Sequence, residues 1–106
     1  MKKDGTVVRH RDVHSMYGSI MQRTTYRGML ARDEGKRRTF VLARSFFIGS
    51  QKYGPFWTGD NPTIHEFVLG SVDNMLSIGI TGNFFGGADV PGYNGDPGQN
   101  LYIEFY

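Results

Sequence analysis

The chain has 106 residues, 39% hydrophobic and 14% aromatic, which suits one packed domain at most and excludes a disordered chain. Cysteine is absent, excluding disulfides and thiolate chemistry, and no apolar run reaches the ~18 residues of a membrane span. The net charge of +2 is unevenly laid out: all 12 Lys and Arg fall within residues 2–52 against four acids, and six acids without a Lys or Arg fill the rest. A basic half is what a nucleic-acid-binding module would carry. Only Lys36-Arg37-Arg38 is contiguous, however, and it reads as a solvated loop. The opening MKKDGTVVRHRDVH lacks the apolar stretch of a signal peptide, and the Asn61-Pro62-Thr63 triplet is no glycosylation acceptor.

In chain order, Val13, Tyr17, Ile20, Met21 and Thr24 fall at helical spacing, and Met29 and Leu30 close the stripe, predicting a helix over 13–30. RDEGKRR supplies a polar loop. TFVLA (39–43) is apolar without alternation, as expected of a strand buried on both faces in a parallel sheet. SFFIGSQKYG reads as a loop or broken helical turn, and PFW (55–57) as a second short strand. Asn61 then suits an N-cap with Pro62 at the first helical position, and Thr63 with Glu66 a capping box one turn in. Ile64, Phe67, Val68, Val72, Met75 and Leu76 repeat at i, i+3, i+4, i+8, i+11 and i+12, predicting a helix that ends near Gly79. ITGNFF (80–85) is a third strand candidate, and QNLYIEFY the opening of a further helix. Alternating helices and short apolar strands imply parallel strands joined by crossovers. No internal repeat or linker interrupts the chain, so residues 1–106 read as a single partial domain.

Each candidate strand runs into a polar residue: Arg44 after FVLA, Asp60 after PFW, Asp89 after NFF. In parallel α/β proteins that side of the sheet is where chemistry is placed. Each residue also has a plain reading. Arg44 could serve a salt bridge as well as a forked donor to sugar hydroxyls or a carboxylate. Asp60, inside TGDNP, and Asp89, inside GGADVPGY, have the surroundings of ordinary turn residues. His10 and His14 sit four apart, as in a metal-binding helix, but Arg11-Asp12 stands where a HExxH glutamate would be, and a surface role is expected. The Gly-rich 86–98 segment has neither a phosphate-loop nor a calcium-loop spacing, and Ser45 and Ser50 lack a G-x-S-x-G setting.

Three stretches go further. RDVHSMYG (11–18), RSFFIGSQKYGPFWTGDN (44–61) and GGADVPGY (86–93) resemble, in order and spacing, consecutive motifs of the α-glucosidases of glycoside hydrolase family 31. The form with GSQKYG before WTGDN resembles that of the catalytic α subunits of glucosidase II. The resemblance covers residues 9–106 and implies an α/β fold, part of a (β/α)8 TIM barrel, about strands five to seven with their helices. It implies hydrolysis of α-glucosidic bonds with retention, which takes two carboxylates. By this resemblance Asp60 is the acid/base rather than a turn residue, and its aromatic setting suits an acid that must carry a proton near neutral pH. Trp57 would pack against the sugar, Arg44 hold the glucose, Asp89 contact sugar or support the site, and Tyr93 stand near the leaving group, where Phe is usual.

The family's nucleophile belongs to a W-x-D-M-N-E motif upstream of the RDVH segment, and no such motif occurs in these 106 residues. Pro91 stands where the family has glycine, and Ser15 where Asn is common. The expectation is therefore a fragment of a catalytic barrel that carries the acid/base but lacks the nucleophile, needs no cofactor or metal, and is inactive and poorly stable alone. The implied partners are an α-glucoside or glucosylated glycan, the rest of the barrel and a regulatory β subunit, with neither nucleic acid nor membrane. A full-length relative would work in the endoplasmic reticulum lumen, although these residues carry no targeting signal. A non-catalytic sugar-binding remnant is the alternative.

Overall fold

The computed structural model describes residues 4–105, and the chain divides into two compact units, Met1–Gly54 and Pro55–Tyr106. The division falls two residues after Lys52, so the basic and acidic stretches of the sequence coincide with the two units.

The first unit is dominated by helix α1, His10–Arg32. It extends the expected 13–30 by one turn at the start and two residues at the end, because the chain holds strong helix formers with no proline until well beyond it. At its C-terminus, Asp33 N–H reaches the Met29 carbonyl, and Glu34 and Gly35 turn the chain with positive φ. Arg32 in the last turn hydrogen-bonds the Asp33 carboxylate, holding that carboxyl below its ordinary range. The contact therefore contributes above the usual aspartate pKa and fades as acid protonates the group.

What fastens the following segment to α1 is mostly polar. Gln22 is 4% exposed and donates from Nε2 to the Val41 carbonyl at 3.2 Å. The Ser50 hydroxyl donates to Ser19 Oγ at 2.8 Å and accepts from Phe47 N–H at 3.1 Å. Tyr26 and Tyr53 meet edge to face at 5.7 Å. Gly18, a liability in a helix interior, is where Ser45 crosses: a Cβ there would lie 2.2 Å from Ser45 Cβ. Gly18→Ala is accordingly expected to cost about 1–3 kcal/mol through overpacking, seen as a lowered thermal-inactivation midpoint of the longest polypeptide that carries these residues.

One expectation fails in this unit. Residues 39–43 form no strand; the run is irregular, with a single bridge residue at Ala43. A strand exists through its pairing, and this run makes no ladder beyond that one bridge. The α1 stripe is uncovered, with Tyr17 61% and Met21 60% exposed.

The second unit is a parallel β-α-β arrangement. Strand β1, Phe56–Trp57, pairs with β2, Gly86–Gly87, in the register Phe56↔Gly86 and Trp57↔Gly87, and helix α2, His65–Ile80, connects them. PFW thus forms a strand as expected, and α2 ends one residue past Gly79. Its start differs: Ile64 is the N-cap, without a side-chain cap bond. Asn61 and Thr63 do not cap the helix because their groups are committed elsewhere. The Asn61 carbonyl accepts from Tyr93 and Asn94 N–H, at 2.7 and 3.1 Å, and the Thr63 hydroxyl donates to the Asn94 carbonyl at 2.8 Å. Residues 80–85 do not form the third strand either. Ile80 still belongs to α2, Thr81 and Gly82 turn, and pairing begins only where the Phe85 carbonyl meets Phe56 N–H, so β2 lies at 86–87.

Helix α3, Gln99–Phe105, matches the expected C-terminal helix and carries Leu101, at 4% exposure the one buried apolar side chain other than proline among the described residues. His65 at the start of α2 meets Glu104 of α3 at 2.5 Å. Much apolar surface stays open, with Ile80 89% and Phe84 90% exposed.

Candidate active site

The site is built on the strand pair. Phe56 N–H donates to the Phe85 carbonyl and Thr58 N–H to the Gly87 carbonyl at 3.1 Å, so the two chains stay in register as they leave the C-terminal ends of β1 and β2. Gly59, at φ 86°, adopts the left-handed backbone that turns the chain immediately before Asp60, a conformation costly to any other residue. This gives the glycine of WTGD a conformational reason.

From here the two loops are laced together. Asn61 is 4% exposed and donates from Nδ2 to Thr58 Oγ1 at 2.5 Å, which fixes the turn around Asp60. Its carbonyl takes two amide hydrogens from the second loop, Pro62 bridges to Asn94 in parallel sense, and Thr63 N–H donates to the Asn94 carbonyl at 2.9 Å. Asp60 therefore stands three residues beyond Trp57, and Asp89 two residues beyond Gly87, on the same edge of a parallel pair.

Trp57 and Asp89 are half-buried, whereas Asp60 is exposed and Tyr93 is 66% exposed. Four of the five predicted site residues, Trp57, Asp60, Asp89 and Tyr93, thus share one unit and one edge of its strand pair. Arg44, the fifth, belongs to the first unit, exposed and just past the 39–43 run. Among the described residues no group of three or more His, Cys, Asp or Glu side chains is placed to hold a metal ion, and no helix is long and apolar enough to cross a membrane.

Sequence reasoning missed the positioning role of Asn61 and Asn94, having read Asn61 as a helix cap. The one available signal was Pro62, which biases the residue before it toward extended backbone and away from a helix start.

Carboxylates placed beyond the C-terminal ends of adjacent parallel strands, with a helix crossing between, are an arrangement shared by parallel α/β enzymes, (β/α)8 barrels among them. The particular family follows from comparison with known proteins. All of residues 1–106 match the Glycosyl hydrolases family 31 TIM-barrel domain, and the chain belongs to that family. A probable glucan 1,3-alpha-glucosidase of Oryza sativa subsp. japonica is 44% identical over 99 residues, 93% of this chain and 11% of that protein. The crystal structure of a glucosidase II alpha subunit, alpha3-Glc2-bound, superposes with a TM-score of 0.85 at 45% identity, covering 92% of this chain and 11% of the other. An ER glucosidase II heterodimeric complex, of catalytic subunit and the binding domain of a regulatory subunit, superposes at 0.84 with 45% identity and the same shares. The chain thus spans about a ninth of the length of the relatives it matches.

Proposed function

We propose that these residues are the acid/base and sugar-binding segments of a retaining α-glucosidase, about strands five to seven of its barrel in a single partial domain. The observation that carries the reading is the shared edge of the β1–β2 pair, where Asp60 and Asp89 follow the Trp57↔Gly87 register by three and two residues.

In this reading Asp60 protonates the departing glycosidic oxygen as a carboxylate outside these 106 residues attacks the anomeric carbon. It then takes a proton from the water that releases the sugar. Trp57 supplies an apolar wall for the glucose ring. Arg44 holds glucose hydroxyls through its fork of donors. Asp89 contacts the sugar or steadies the site, and Tyr93 borders the leaving group.

The substrate class is a terminal α-linked glucose, carried on an N-linked glycan in the endoplasmic reticulum lumen, with a regulatory β subunit as partner. The glucosidase II relatives support that assignment.

Two measurements test it together. Mass spectrometry of the native protein that contains RTFVLAR is expected to give a chain several times heavier than 12.0 kDa. Proton NMR of its reaction on maltose is expected to show α-glucose released first. Initial release of β-glucose would rule out retention. A native product of 12 kDa would rule out catalysis by this chain and favour sugar binding alone.

A further inference from the structure

His10 and His14 have no part in the proposed glucosidase chemistry, yet the structure turns them toward each other. Both are exposed on the first turns of α1, with His10 Nε2 2.7 Å from His14 Nδ1 and the rings 4.8 Å apart, nearly perpendicular. Side chains four apart on a helix share one face, so the pairing follows from the backbone and needs no tertiary support. Metal–imidazole bonds of about 2.0–2.1 Å set two ligand nitrogens about 2.9 Å apart at a right angle and about 3.4 Å at a tetrahedral one. Opening the observed gap by a few tenths of an ångström, a small side-chain rotation, therefore admits an ion. In the metal-free pair one ring donates its N–H to the other. Moving the protons to His10 Nδ1 and His14 Nε2 leaves a lone pair on each of the two facing nitrogens, and ring rotation turns both toward one ion, without change in total charge.

We propose that His10 and His14 form a two-imidazole site for a first-row transition-metal ion, with Cu(II) preferred over Ni(II) and Zn(II). Water fills the remaining positions, since no third His, Cys, Asp or Glu side chain joins them among the described residues. Asp12, the nearest acid in sequence, is turned to Arg11 at 3.6 Å. A second feature gives the site a consequence. The N-cap of α1 is Arg9, which makes no side-chain cap bond, so the first turn lacks the usual tie to its free amide groups. A chelate from His10 to His14 spans that turn and holds it helical.

The test uses the full polypeptide, stripped with a chelator and titrated with Cu(II) against glycine as competitor, while electron paramagnetic resonance counts bound nitrogens. The tightest site is expected to show two imidazole nitrogens. His10→Gln and His14→Gln are each expected to weaken it about a hundredfold, the low end of what tethering a second ligand contributes. The double change His14→Ala with Ser15→His keeps the histidine count but moves one imidazole off the shared face, and it is expected to weaken binding equally. Circular dichroism checks that each variant retains its helix, and the count of bound nitrogens decides the matter even where one unfolds. Unchanged affinity in His10→Gln, or retention of the tight site in the displaced pair, overturns the proposal. Loss of the site in His65→Ala overturns it too, by assigning the ion to the His65–Glu104 contact.

Discussion

Asp60→Asn in the full-length polypeptide is expected to lower kcat/KM on maltose by about 10²–10⁴-fold, the range that general acid–base catalysis contributes. The loss depends on the leaving group. An alkoxide must be protonated to depart, whereas fluoride or a nitrophenolate leaves unaided, so α-glucosyl fluoride should be cleaved to the covalent intermediate at nearly the ordinary rate. With Asp60→Ala, added azide should then attack the anomeric carbon from the vacated side, breaking the glycosyl–enzyme bond and releasing α-glucosyl azide. That product distinguishes an acid/base from a structural aspartate, since a misfolded variant gains nothing from azide. Equal loss on all substrates, or no rescue, would count against the assignment. An azide of β configuration would mark Asp60 as the nucleophile instead.

The second large effect concerns the 106 residues on their own. The chain exposes 8108 Å². A self-contained monomer of 12.0 kDa would expose about 6000 Å², and even two independent halves of about 6 kDa would total about 7200 Å². The excess lies in apolar side chains such as Ile48, Leu69, Ile80 and Phe84, each more than two-thirds exposed. With so little buried, the conformational entropy of about 1–2 kcal/mol per ordered residue is not offset. Expressed alone, the chain is expected to bind a hydrophobic dye, melt without a cooperative transition and aggregate at micromolar concentration. A sharp, reversible unfolding transition of a monomer by calorimetry and circular dichroism would overturn this.

The same missing cover explains which parts of the fold were legible. Helices satisfy their own hydrogen bonds, so the periodic runs of α1 and α2 and the short α3 could be located from spacing. Strands depend on neighbours. PFW pairs with Gly86–Gly87, but TFVLA makes only an isolated bridge at Ala43 and stays irregular. The start of α2 was misplaced because Asn61, Pro62 and Thr63 are good helix-start residues locally, and contacts thirty residues away claimed them. At the candidate site, residue types alone left Asp60 and Asp89 open between turn and catalysis. The motifs in register narrowed that choice. The common edge of Asp60 and Asp89 depends on strand pairing, which no local pattern states. Arg44 illustrates the remainder: its place beside a barrel strand was expected from FVLA, and that strand is not formed.

The lacing of the two loops bears on how this barrel can be altered. Asn61 is bonded to Tyr93 and Asn94, and Thr63 to Asn94, through main-chain groups as well as side chains. The segment that carries Asp60 and the segment that carries Tyr93 therefore form one module, although some thirty residues separate them. A chimaera that imports 58–63 from a relative with a different second loop must rebuild four hydrogen bonds, three of them main-chain, at once. Substrate preference in such barrels should then be transplanted, and inherited, as paired loops rather than one at a time.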